Sequence, residues 1–200
     1  MVDLMTYAGP AAADAPGTRT GGVPLVPAGF AWPECAECEG AMQFLAQVRL
    51  DGDLLSIFMC QNDPGLCDEW DATAGGNRAY LFGPDATEPA AVPGGEYTLL
   101  EEVSAVEVVA VDAPGYPQAA TEWSRLAGRP RSDVLGQLGG EPAWLQFDET
   151  PACGSCERPM EFVAVLEQGH DWKTRINFGG GRGYAFLCPP CRAAAFLWQR

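Results

Sequence analysis

Apolar and polar residues alternate with a period of two over Met42 to Leu50, where Met42, Phe44, Val48 and Leu50 share one side and Gln43, Gln47 and Arg49 the other. That period predicts a half-buried β-strand. Asp51-Gly52-Asp53 supplies a hairpin turn, and the unbroken apolar run from Leu54 to Met59 predicts a strand covered on both faces that ends at Cys60. A short strand over Ala79 to Phe82 closes the group. The order of strand, connection and strand returns at Met160 to Leu166 and Gly183 to Leu187, with a longer connection through Gly179-Gly180-Gly181 that is expected to be a flexible loop. Tyr97 to Val111 is rich in β-branched residues and predicts one or two more strands. Thr121 to Leu126 predicts a short helix before Gly128-Arg129-Pro130. Strands should clearly outnumber helices.

The two strand groups lie inside a repeated sentence. Gly21-Gly22-x-Pro24, Cys35-x2-Cys38 and Met42-x-Phe44 return as Gly139-Gly140-x-Pro142, Cys153-x2-Cys156 and Met160-x-Phe162, each position 118 residues after its counterpart. One offset held over every matched position marks an internal duplication. Residues 1–20, rich in Ala, Gly, Pro and Thr, are expected as a loose leader, 21–83 as a first β repeat and 139–200 as a second. Between them, 84–138 is expected to hold a Pro/Gly/Ala-rich linker and central strands. The fold class read from this pattern is β-rich α+β, two pseudo-symmetric zinc-clasped β units packed as one globule.

Cysteine spacing supplies the clasp. Two sets, C-x2-C-x21-C-x6-C and C-x2-C-x31-C-x2-C, account for all eight cysteines of the 200-residue chain. Tetrahedral Zn²⁺ takes four soft donors at about 2.3 Å, and C-x2-C offers two from one tight turn. Cys35, Cys38, Cys60 and Cys67 are the candidate ligands of one structural Zn²⁺, and Cys153, Cys156, Cys188 and Cys191 of a second. Four protein donors leave no position for an activated water, so no catalytic residue is assigned and the chain reads as a non-enzyme. The rival chemistry is a thiol-disulfide oxidoreductase with Cys153 and Cys156 as nucleophile and resolving thiol, but the βαβ context of such enzymes is missing. His170, the single histidine, reads as a solvated loop residue, and the Gly179 to Gly183 stretch lacks the Lys-Ser/Thr of a phosphate-binding loop. Trp32, Trp144, Phe44 and Phe162 read first as core, and the two tryptophans also as walls of a groove between the units.

Charge narrows the partners. Twelve basic against twenty-seven acidic residues give a net charge of −15, and two tetrathiolate Zn²⁺ sites would take it to about −19. Such a chain repels nucleic-acid phosphates and attracts a basic protein. No secretory signal opens the sequence and no apolar run is long enough to span a bilayer, so a cytoplasmic protein without membrane contact is expected. Reducing compartments favour metal over disulfides for paired cysteines.

Gly-Gly-x-Pro, C-x2-C, Met42 with Phe44 and Gln47, Phe58 with Cys60, and Leu138-Gly139-Gly140-Glu141-Pro142-Ala143-Trp144-Leu145 together resemble the bacterial YwqG-like domain of unknown function. They also resemble the related zinc-containing N-terminal region of the programmed cell death protein 2 family. The similarity covers nearly all of the chain through its two halves. Eukaryotic members hold a small-subunit ribosomal protein during its synthesis and delivery. The resemblance therefore implies a zinc-stabilised, chaperone-like module that binds a basic client, and it carries over both cysteine sets. The inserted MYND-type finger of eukaryotic members has no counterpart here. Association of bacterial YwqG-like proteins with toxin-immunity gene clusters makes toxin immunity a further reading.

Overall fold

The alternating and apolar runs become twelve strands in the computed structural model, which describes residues 1–200. They are β1 (Val2–Pro10), β2 (Arg19–Thr20), β3 (Leu25–Val26), β4 (Gln43–Leu50), β5 (Asp53–Met59), β6 (Asn77–Phe82), β7 (Glu88–Pro89), β8 (Ser104–Val111), β9 (Val134–Leu138), β10 (Glu161–Leu166), β11 (Arg182–Cys188) and β12 (Ala193–Gln199). Ten form one antiparallel sheet in the order β12-β11-β10-β9-β1-β8-β2-β4-β5-β6, while β3 and β7 pair separately. The single α-helix, α1 (Tyr116–Ala127), lies between β8 and β9. The end strands β6 and β12 approach each other, so the sheet curls almost into a barrel.

The strand order is a palindrome about the β1–β8 pair. Outward on one side run β9, β10, β11 and β12, and on the other β2, β4, β5 and β6, the matching strands of the other repeat. Both hairpins carry the same irregularity, a register shift between Phe44 and Ala46 on β4 and between Phe162 and Ala164 on β10. Each bulge turns one extra residue out of the pleat and bends its strand, helping the sheet to curl. The two β units thus pack as one globule around shared apolar residues: Leu45, Val48, Ile57 and Met59 from the first meet Leu166, Phe178, Phe196 and Trp198 from the second.

The centre of the palindrome is a strand exchange. β1 precedes the first repeat in the chain yet pairs with β9 of the second, with Leu4 opposite Gln137. β8 precedes the second repeat and pairs with β2 of the first, with Ser104 opposite Thr20. Residues 1–20 are consequently not a loose leader. Leu4, Met5 and Thr6 are buried in the middle of the sheet, because alternate β1 side chains pack on both of its faces.

Two further elements differ from the pattern. β4 is buried on both faces through Val48, Gln43 and Gln47 included. Its polar side is tolerated because Gln47 accepts a hydrogen bond from the Leu25 amide and donates to Gly17 O, while Gln43 donates to Leu99 O. The connection from Glu167 to Gly181 is no free loop either, since Ile176 and Phe178 are fully buried in the shared core. Burying one such phenylalanine contributes about 2–3 kcal/mol. Helix α1 starts earlier than Thr121. Pro117 in its first turn gives up an amide that would lack a partner anyway, and Gly128 ends it in a left-handed conformation at φ 64°. Tyr116, Ala119, Ala120 and Trp123 seat it over Val2, Leu4, Val165 and Phe186. No helix is long and apolar enough to cross a membrane.

Candidate metal centres

The Gly-Gly-x-Pro turn precedes each cluster in the chain and docks on its hairpin, Gly21 N donating to Leu45 O and Gly139 N to Val163 O. Gly21 and Gly22 have φ of 72° and 79°, Gly139 and Gly140 of 63° and 75°, a double left-handed step that only glycine takes without strain. The step points two backbone carbonyls at one buried side chain. Arg19 donates to the carbonyls of Gly21, Val23 and Ala15, and Gln137, at the matching position, donates to those of Gly139 and Glu141 at 2.6 and 3.2 Å. Burial lowers the Arg19 pKa to about 10, although Asp14 opposes the shift.

Next comes a knuckle that is the same bond for bond in the two copies. The Cys35 amide donates to Gly40 O at 2.9 Å, Glu39 N to Cys35 O at 3.0 Å and Met42 N to Pro33 O at 3.0 Å. The Cys153 amide donates to Arg158 O at 2.8 Å, Glu157 N to Cys153 O at 2.8 Å and Met160 N to Pro151 O at 2.9 Å. Glu39 and Glu157 both take left-handed φ, 59° and 60°, a conformation that costs a non-glycine residue about 1 kcal/mol. The second cysteine pair then arrives from the sheet. β5 delivers Cys60 and the following loop Cys67, whereas β11 delivers Cys188 and a single 3₁₀ turn, Pro189–Cys191, delivers Cys191.

Four sulfurs converge in each cluster, all within 4.8 Å of one another, and every cysteine is a free thiol. Cys38 Sγ lies 3.6 Å from Cys60 Sγ, and Cys156 Sγ 3.7 Å from Cys188 Sγ. A disulfide needs about 2.05 Å. Sulfurs at the corners of a tetrahedron around Zn²⁺ are about 3.8 Å apart, given Zn–S of about 2.3 Å. Both clusters therefore have the donor set and the spacing to hold one metal ion.

Their electrostatics call for a cation. Burial acts to raise the Cys38 thiol, but hydrogen bonds from the Gly40 amide, its neighbouring thiols and Asn62 hold it below its ordinary value. Cys60 and Cys67 are pushed up by burial and by the thiols around them. In the second cluster the Arg158 amide and guanidinium bring Cys156 down to about 6, while Cys156 and Cys188 push Cys191 up to about 12. Some thiols in each set ionise readily and hold a proton on their neighbours; four thiolates can coexist only around a positive ion.

The flanking donors carry no motif in the sequence. Asn62 Nδ2 sits 3.5 Å from both Cys38 Sγ and Cys60 Sγ. In the second cluster the role falls to Arg158, which occupies the repeat position of Gly40. The only sequence signal was that substitution, one of several differences between the two copies of the knuckle. A Cβ on Gly40 would lie 2.4 Å from Asn62 Nδ2, so the glycine makes room for the amide.

The remaining candidates stay outside the clusters' chemistry. His170 stacks on Tyr7, ring centroids 3.8 Å apart, with Thr174 Oγ1 at 3.3 Å from Nδ1. Trp32 donates to Met42 O and meets Phe58 edge-on, and Trp144 packs tilted on Tyr184 and stacks on Phe186. Phe44 packs on Phe58 and Phe162 on Phe186. The two tryptophans belong to separate aromatic clusters on their own units and do not wall a common groove, because each is held against its own hairpin.

No protein-family profile matches the chain. It is 36% identical over 67 residues to the uncharacterised protein YpfL of Salmonella typhimurium, a match that covers 34% of this chain and 15% of that one. The similarity is thus to part of a bacterial protein of unassigned role and does not reach the YwqG-like or programmed cell death protein 2 families.

Proposed function

We propose that this chain is a zinc-stabilised protein-binding module of the cytoplasm, chaperone-like towards a basic client, with Cys35, Cys38, Cys60 and Cys67 holding one structural Zn²⁺ and Cys153, Cys156, Cys188 and Cys191 a second. The observation that carries the reading is the completeness of both clusters: four convergent sulfurs saturate a tetrahedral ion. Bound there, the metal would supply folding energy to its hairpin and knuckle. The net charge of −15 supports a basic protein partner over nucleic acid. Exposed Leu66, Trp70, Leu145 and Phe147 supply apolar contact area. The resemblance to the YwqG-like domain and the programmed cell death protein 2 family supports the same partner class.

Elemental analysis of protein purified without added metal should return two zinc ions per chain. Binding to a purified basic ribosomal protein should be tight at low salt and slow markedly as salt is raised. Metal-free protein with a reactive Cys156 would instead favour thiol–disulfide exchange, and tight binding to RNA would overturn the partner class.

A further inference from the structure

A cavity of about 490 Å³ opens where the first unit's cysteine loop meets the second unit's C-terminal strand. Its walls include Glu69 and Trp70 from the loop, Glu149, and Trp198 and Arg200. Glu69 is only 2% exposed. One of its carboxylate oxygens accepts a hydrogen bond from the Gly65 amide, and the other, Oε2, is buried with no partner. Burying a carboxylate oxygen without a donor is costly, and a cation lodged in the cavity beside Glu69 offsets part of that cost through its charge. Nothing in the chain does so: Arg200, on the same wall, forms no ion pair with Glu69 or Glu149. The Trp198 indole N–H is likewise buried without an acceptor.

We infer that this cavity receives an arginine side chain from a basic partner protein, a reading that rests on the proposed protein-binding role and gives it a place. A guanidinium fits the lining better than an ammonium. Its planar fork donates to the carboxylate of Glu149, one oxygen of which already accepts from Gln199 Nε2, its charge sits beside Glu69, and its face stacks on indole. Leu66 beside the loop wall, and Leu145 and Phe147 beside lining residue Gln146, are 75%, 42% and 77% exposed, an apolar border suited to a protein chain rather than a free small cation.

The test titrates zinc-loaded full-length protein with acetyl-Leu-Arg-Leu-amide and with the isosteric, uncharged citrulline peptide, following the indole N–H signals of Trp70 and Trp198 by NMR. The arginine peptide should shift the Trp198 signal, and citrulline should bind about tenfold more weakly. Glu69→Gln should reduce arginine binding by a similar factor. Glu149→Gln, which keeps an acceptor for Gln199 Nε2, and Trp70→Ala, at exposed positions, should each weaken it about threefold to tenfold. Equal binding of the two peptides, or full binding by both exposed-site variants, overturns the proposal. A basic ribosomal protein that binds wild type and both variants alike would also overturn the pocket while leaving the partner class standing. Arginine-selective binding at Trp198 with no basic protein bound would leave the pocket standing and remove the wider reading.

Discussion

The Cys35 cluster and the Cys153 cluster share a knuckle, its hydrogen bonds and a left-handed glutamate, yet they differ in what surrounds the sulfurs. The first is the more deeply sealed: Cys35, Cys60 and Cys67 are buried under Phe30, Trp32, Phe44 and Phe58, and its donor is the neutral Asn62 amide. The second leaves Cys156 and Cys191 partly exposed, and its donor is the Arg158 cation. The geometry that presents sulfur was retained after duplication while the donor moved from one chain position to another. A tetrathiolate zinc carries about −2. Arg158 would offset part of that charge in the second cluster, and apolar enclosure with an amide dipole would replace the offset in the first.

The sharpest way to break the comparison is to remove one thiolate from each cluster. Cys60→Ser and Cys188→Ser should each lower the zinc content from two ions to one and destabilise by about 4–5 kcal/mol or more. By calorimetry Cys60→Ser should melt lower, because it also opens the aromatic enclosure around the first site; equal losses would mean the enclosure adds nothing. Chelator extraction is the next test. Zinc release should occur in two phases, the faster belonging to the exposed second cluster and absent from Cys188→Ser. Transplanting the donor should give a smaller effect. Gly40→Arg alone should lower the melting temperature through its collision with Asn62, and adding Asn62→Gly should restore most of the loss; a double variant as unstable as the single one would show that Gly40 serves another purpose.

The smallest effect expected is a shift in pH dependence. Arg158 holds the Cys156 pKa at about 6, below its ordinary value of 9.0. A depressed folded-state pKa contributes stability that is present above the unfolded value and lost as pH falls through the folded one. Metal-free wild type should therefore lose this contribution between about pH 9 and 6. In Arg158→Ala the Cys156 pKa should rise, the contribution shrink, and half-release of zinc from the second cluster move to higher pH. No movement would assign Arg158 a merely solvated role.

The hairpins, the duplication and the cysteine sets were legible because each leaves a local trace: period two in β4, an apolar run in β5, a fixed offset along the chain. β1 was not legible. Val2 to Pro10 mixes Asp, Thr, Gly and Pro into its apolar positions, and its burial comes from pairing with strands more than a hundred residues away. β12 escaped for a similar reason, since Ala193-Ala194-Ala195 has weak strand preference and is held by its register with β11. Gln43 and Gln47 misled because polar side chains normally face water, and only tertiary partners reveal that theirs are satisfied inside. Asn62 and Glu69 belong to loops whose path no periodicity encodes.

The exchanged strands also dictate an order of events when the chain is made. Cys35 to Cys67 are all contained in one short stretch, so the first cluster can close as soon as that stretch has emerged. β1 has been waiting since before then. Its partners begin at Ser104 and Val134, and until they appear Leu4 and Met5 have no sheet to join. Contacts so distant in sequence close slowly. β1 is thus made before every strand it pairs with and is among the last to be secured, leaving an interval in which a half-made chain with its first cysteine set complete still shows an unpaired, apolar strand to whatever is near.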